Sequence, residues 1–114
     1  MTKNILILGG SGNTGEKIAQ LLLKHTNVQI VLGARNEQNL RLTAGKLNEP
    51  NRVTWGSIDV SNMESLVKAF TDIDMIISAA STAKFTRNIA NACVVAKCDY
   101  LDVQYSTEKV SVLK

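Results

Sequence analysis

At 114 residues, 45% of them hydrophobic and 20% charged, the chain has the size and balance of one globular domain around one core. A single proline and 4% aromatic residues speak against a linker-like or disordered chain. The 13 basic and 10 acidic residues leave a net charge of +3, scattered without clustering, which argues against nucleic-acid binding and still favours an anionic ligand.

The chain opens on the apolar run Lys3-Asn4-Ile5-Leu6-Ile7-Leu8, a pattern that suits a strand buried on both faces of a parallel sheet. A helix is expected from Thr14 to about His25, with Ile18, Leu21 and Leu22 on one stripe and Ala19 widening it. Val28 to Leu32 reads as the second strand, running out into Gly33-Ala34-Arg35-Asn36. The second helix is expected over about Glu37 to Leu47, broken by Asn48-Glu49-Pro50-Asn51. Val53 to Ile58 reads as strand three. Ser61-Asn62-Met63-Glu64 has the form of a capping box and places the next helix start at Ser61, with Leu66, Val67 and Phe70 inward. Met75 to Ser78 is strand four, about Ala83 to Lys97 is helix four with Phe85, Ile89, Cys93 and Ala96 along a stripe, and Tyr100 to Val103 is strand five.

Strands alternating with helices call for right-handed crossovers, hence an α/β fold with a doubly wound parallel sheet of order 3-2-1-4-5. No internal repeat or domain boundary shows, so residues 1–114 are expected to form one unit. Ser106 to Lys114 has the look of an element cut short, and the expectation is a first domain trimmed from a longer protein with a C-terminal substrate domain. No signal peptide and no apolar run of about eighteen residues is seen, which points to the cytoplasm and away from membranes.

The chemistry lies at the strand ends. Gly10, Gly12 and Gly15 form G-x-G-x-x-G, and Gly9, Gly12 and Gly15 form G-x-x-G-x-x-G. Between a buried strand and an amphipathic helix, this is the signature of a dinucleotide-binding Rossmann unit. One glycine permits the turn, Gly12 admits the pyrophosphate to backbone N–H groups, and Gly15 lets the helix pack on the sheet. The helix N-terminus offers donors and partial positive charge, with Ser11, Asn13 and Thr14 at its rim.

The end of strand two bears on which dinucleotide is favoured. An NAD site usually carries an acid there, bound to the ribose hydroxyls. Here Gly33-Ala34-Arg35-Asn36 holds no carboxylate before Glu37. Gly33 and Ala34 make room for a 2′-phosphate, Arg35 can pair with it, and Asn36 can donate to it. NADP is therefore expected, with NAD as the lesser option and a solvated loop arginine as the alternative for Arg35. Asp59-Val60 either meets the adenine or turns the chain before Ser61. Ala79 and Ala80 leave room for the nicotinamide-side ribose or relieve packing.

No catalytic residue is nominated. Tyr105 and Lys109 fit Tyr-x-x-x-Lys by spacing but fall at the end of the chain, and His25 belongs with the helix dipole. Cys93 and Cys98 lack the companions a zinc site needs, so they are expected as packing residues and no metal is expected.

These segments together resemble the N-terminal NADP-binding domain of the saccharopine dehydrogenase-like family. The resemblance rests on Gly10-Ser11-Gly12-Asn13-Thr14-Gly15, Gly33-Ala34-Arg35-Asn36, Asp59-Val60 and Ile76-Ile77-Ser78-Ala79-Ala80. Its most specific part is Ala92-Cys93-Val94-Val95-Ala96-Lys97-Cys98-Asp99-Tyr100-Leu101-Asp102-Val103. It implies an oxidoreductase that passes hydride between the nicotinamide and an amino-acid-derived small molecule, held by a further domain, with cofactor contacts at the glycine loop, Arg35, Asp59 and Val60. The family's Gly-Pro or Pro-Tyr turn after strand four is replaced by Ser81-Thr82-Ala83-Lys84, which leaves the substrate open. A non-catalytic redox sensor related to isoflavone reductases shares the Gly-x-x-Gly-Asn-Thr-Gly loop and is the alternative. Homodimerisation is left open.

Overall fold

A computed structural model describes residues 3–9, 13–79 and 86–102. Its first strand, β1 (Asn4–Leu8), is the middle of a sheet, which explains why its sequence is apolar without alternation. β1 pairs in parallel with β2 (Gln29–Ala34) on one side and β4 (Met75–Ser78) on the other. The outer strands are β3 (Val53–Ser57), beside β2, and β5 (Asp99–Asp102), beside β4. The observed order is β3-β2-β1-β4-β5, as the alternation of elements predicts.

The connections put helices on both faces. α1 (Asn13–His25) and α2 (Glu37–Leu47) cover the face made by Ile5, Ile7, Ile30, Leu32 and Ile77, into which Ala19 and Leu40 pack. On the other face, α3 (Met63–Phe70) and α4 (Thr86–Ala96) press Leu66, Phe70, Ile89 and Cys93 against Leu6, Leu8 and Ile76. Successive β1 residues thus belong to different cores, the period-two geometry of a strand.

Helix boundaries follow local hydrogen bonding. Asn36 caps α2, its side chain accepting from Asn39 N–H at 3.0 Å. Asn48 ends the same helix in the left-handed region, at φ 53°. α4 ends on Lys97 at φ 61°, where Lys97 N–H reaches Val94 O and Cys98 N–H reaches Cys93 O, the paired bonds of a Schellman motif.

Several expected boundaries are corrected. The cap of α3 is Asn62, whose side chain accepts from Ser65 N–H at 3.1 Å, and the helix begins at Met63 rather than Ser61. Ser61 does not perform this role because its hydroxyl and N–H both donate to Asp59 Oδ1, at 2.6 and 3.0 Å. Val67 is only half-buried, while Leu66 and Phe70 are fully buried. β2 starts and ends later than expected, with Val28 outside and Gly33 and Ala34 inside, and β5 begins one residue earlier, at Asp99. Phe85, Val103 and the tail from Ser106 lie outside the described residues.

Arg52, just before β3, fastens the loop that joins α1 to β2. Its guanidinium donates to Leu23 O at 3.0 Å, Thr26 O at 2.6 Å and Val28 O at 3.1 Å. Two of those carbonyls belong to the end of α1 and the turn after it, where helical partners run out.

Candidate functional site

In a parallel sheet every strand delivers its C-terminal end to the same edge, and ligands bind in the crevice outside that edge. At this edge β1, β2 and β3 enclose a cleft of about 180 Å³. Leu8 and Gly9 form one wall, Gly33 and Ala34 another, and Ile58 and Val60 come from the chain leaving β3, with Arg35 at the mouth. The walls are largely apolar, and none of the described residues that line them is a carboxylate.

Backbone geometry explains the shape. Gly9 has φ 78°, in the left-handed region that favours glycine, and its N–H donates to Gly33 O at 2.7 Å. The chain therefore turns sharply out of β1 instead of running on over the cleft. Ile58 N–H donates to Ala34 O at 2.9 Å, extending the β2–β3 ladder by one bond and fixing the third wall.

Arg35 follows β2 and is exposed. Its carbonyl accepts from Ser57 Oγ at 3.1 Å, so the backbone is held while the guanidinium makes no hydrogen bond or salt bridge with another described residue. Asn36 is engaged through its side-chain oxygen in capping α2. The first acid beyond the strand, Glu37, stands in the first turn of α2.

Asp59 performs the turn role, one of its two expected alternatives. The Ser61 hydroxyl, then the Ser61 N–H, hold its carboxyl below the usual carboxylate range, and the charge of Arg35 adds to this. A carboxylate and a guanidinium thus share the rim within electrostatic reach. Val60 lines the cleft beside Ile58.

The glycine loop is seen in part. Gly10, Ser11 and Gly12 lie outside the described residues, as do Ala80, the Tyr105–Lys109 pair and the side chain of Asn13. Asn13 opens α1, Thr14 is exposed in its first turn, and Gly15 is buried there. Ala79 is 8% exposed and its N–H donates to Leu8 O at 2.8 Å, which places it in the core beside β1. The preceding Ser78 is wholly buried, and its hydroxyl has no hydrogen-bond partner among the described residues.

Cys93 is buried in the core and Cys98 is half-buried just ahead of β5. Burial first, and then the neighbouring Cys98 thiol, push the Cys93 thiol up to about 12. Among the described residues no helix is long and apolar enough to cross a membrane.

Four cleft residues were not singled out as contacts by sequence reasoning: Leu8, Gly9, Gly33 and Ile58. Gly9 carried a legible signal, a glycine directly after a buried strand. Gly33 was read as making room for a phosphate. An added Cβ there would meet Ile58, while Gly33 itself lines the cleft.

Comparison with known proteins adds to this geometry. Residues 5–114 match the family model for the saccharopine dehydrogenase NADP binding domain. An uncharacterized oxidoreductase of Staphylococcus epidermidis is 36% identical over 68% of this chain and 36% of its own length. The chain therefore spans about a third of the length of the curated relatives it matches. Among solved structures, apo saccharopine dehydrogenase (L-Glu forming) from Saccharomyces cerevisiae superimposes with a TM-score of 0.78 at 23% identity, over 96% of this chain and 24% of that one. Pen from Bacillus thuringiensis gives 0.79 at 21% identity, over 88% and 38%. A short-chain dehydrogenase/reductase from Veillonella parvula in complex with NADP gives 0.74 at 24% identity, over 90% and 47%. At these identities the structural likeness establishes the shared fold.

Proposed function

This chain belongs to the family of saccharopine dehydrogenase NADP-binding domains, and from that premise we propose that the cleft at the ends of β1, β2 and β3 receives the adenosine end of NADP. The observation that carries the reading is the makeup of the β2 end: an apolar cleft with Arg35 exposed at its mouth and no carboxylate among the described residues that line it. An apolar slot suits the flat face of a base. A 2′-phosphate suits the Arg35 guanidinium, which feels the charge of Asp59 but makes no hydrogen bond or salt bridge with another described residue, and it is repelled by an acid at the ribose itself.

The residues present fit that group. Leu8, Ile58 and Val60 hold the adenine by apolar contact. Arg35 pairs with the 2′-phosphate, Ser57 positions Arg35 through its carbonyl, and the side-chain amide of Asn36 adds a donor. Gly10, Ser11 and Gly12, with Asn13 and Thr14 at the start of α1, receive the pyrophosphate, where unpaired N–H groups and the helix dipole favour negative charge. Ala79 and Ala80 flank the nicotinamide half. NADP, when bound, supplies the hydride acceptor or donor. The substrate, by this reading an amino-acid-derived small molecule, is held by a part of the protein outside this chain, in keeping with relatives of which the match covers only 36%. A cytoplasmic setting supplies the cofactor.

A regulator that binds NADP without transferring hydride would use the same contacts, and the left-handed turn at Gly9 fits its Gly-x-x-Gly-Asn-Thr-Gly loop. Oxidation of NADPH by the full-length protein with imino-acid substrates favours the enzyme, and binding without turnover favours the regulator.

Calorimetric titration of the chain with NADP⁺ and with NAD⁺, repeated on Arg35→Ala, tests the cofactor assignment. Charged hydrogen bonds at an exposed position contribute at the low end of their range, so the variant should lose about tenfold in NADP⁺ affinity and keep its NAD⁺ affinity. Equal NADP⁺ binding by both proteins would remove Arg35 from the site.

A further inference from the structure

Gly33 and Ile58 are tied together by a contact that no alternative side chain at position 33 could share. A Cβ built on Gly33 would lie 2.5 Å from Ile58 Cδ1, and 3.5 Å from Ile58 Cγ1 and Leu6 Cδ2. The last two are ordinary van der Waals distances. The first is an overlap confined to one terminal methyl group.

Ile58 has little freedom to avoid it. Its N–H is bonded to Ala34 O, so the backbone cannot withdraw without breaking the last rung of the β2–β3 ladder. Its side chain is 5% exposed and belongs to the core beneath, where Leu6, Leu8, Leu66 and Phe70 are buried to 1% or less. Interiors packed in this way do not admit an extra methyl group without strain. The open space next to Ile58 is the cleft that it lines together with Gly33.

We infer that Gly33 is a specificity-determining residue for the nucleotide: by leaving its side-chain volume to Ile58, it lets that residue lie flat and sets the depth of the adenine slot. Any side chain at position 33 lifts the Ile58 methyl into the slot and shortens it. The inference rests on the reading of the cleft as the adenosine site. Gly33 also accepts the Gly9 N–H at 2.7 Å, so one residue holds the turn out of β1 and clears the floor beside it.

The test is a mutational cycle on the full chain, read by titration with NADP⁺ and with 2′-AMP, with thermal unfolding to check that each variant is folded. Gly33→Ala should weaken both ligands about tenfold or more, the discrimination a methyl group can exert in an apolar pocket. Ile58→Val deletes the Cδ1 atom, so Gly33→Ala/Ile58→Val should bind as Ile58→Val does. Wild-type affinity in Gly33→Ala would show that Ile58 yields elsewhere and overturn the inference while the cofactor site stands. A double variant that binds tenfold more weakly than Ile58→Val would also overturn it, by placing the loss in the strand, and this comparison decides the matter if Gly33→Ala alone does not fold. A wild-type chain that takes neither NADP⁺ nor 2′-AMP would remove the adenosine site itself, and the inference with it.

Discussion

Removing the Arg52 guanidinium should destabilise the protein by a predictable amount. In Arg52→Ala the carbonyls of Leu23, Thr26 and Val28 lose donors at 3.0, 2.6 and 3.1 Å. A hydrogen bond from a charged donor contributes about 1.5–3 kcal/mol. The Thr26 contact is exposed, and water can replace it. The Leu23 and Val28 contacts are partly buried and dominate, and the Nε approach to Val28 O, at 3.4 Å, is too long to add much. At the low end of the range for each, the loss is about 3 kcal/mol. For a domain whose whole stability is about 5–15 kcal/mol, this is a large fraction. At roughly 4 °C per kcal/mol for this size, the thermal midpoint should fall by about 12 °C. Urea titration followed by circular dichroism gives the free energy, and calorimetry the midpoint. Arg52→Lys, with one ammonium in place of a fork, should recover less than half of the loss. A loss below about 0.5 kcal/mol for Arg52→Ala, the range of an ordinary surface change, would refute the assignment of Arg52 as the fastening of α1 to the sheet.

Three further predictions concern a helix cap and two titrating groups. Asn62→Ala should cost about 1 kcal/mol by leaving Ser65 N–H without its acceptor, whereas Ser61→Ala should leave the α3 cap intact. Ser61→Ala should instead raise the Asp59 titration midpoint, followed by carboxyl NMR, toward the ordinary range. A depressed carboxyl stabilises the fold above its unfolded pKa and loses that contribution as pH falls through the folded value, so Ser61→Ala should flatten the acid limb of the stability curve. An equal helix cost for both substitutions would return the cap to Ser61. At the other extreme, folded Cys93 keeps its proton to about pH 12, while an unfolded cysteine releases it near 8.5. Stability should therefore decline between about pH 8.5 and 12, and Cys93→Ala should remove part of that slope. Identical alkaline slopes in the two proteins would show that the thiol is not held protonated by the fold.

The order of the sheet was legible because the inner strands β1, β2 and β4 carry nearly unbroken apolar runs and each crossover a helical stripe; Leu6 and Ile7 need opposite cores, and only a sandwiched strand provides both. The start of α3 was not. Ser61 and Glu64 satisfy the capping-box spacing, yet Asn62 is the cap, and the deciding fact is that Asp59 has already taken the Ser61 hydroxyl. Such competition between adjacent polar residues is settled by geometry that a pattern does not contain. The site divides in the same way. The absence of an acid after β2 and the presence of Arg35 are written in the residue types. The Gly33–Ile58 contact joins a residue of β2 to one just past the end of β3, and Arg52 works through carbonyl groups, which every residue has and no sequence distinguishes.

The central place of β1 also shapes how the protein comes into being. On one side β1 meets β2, which follows within about thirty residues; on the other it waits for Met75–Ser78, and Asn4 N–H waits for the Asp74 carboxylate seventy positions away. A ribosome adding about 5–20 residues per second leaves that second edge bare for a time on the order of seconds. For that interval the strand that will be most protected in the finished molecule offers an unsatisfied ladder to any other nascent chain nearby. Synonymous codon changes between Asn36 and Asp74 that slow the arrival of β4 should therefore divert more of the product into aggregates.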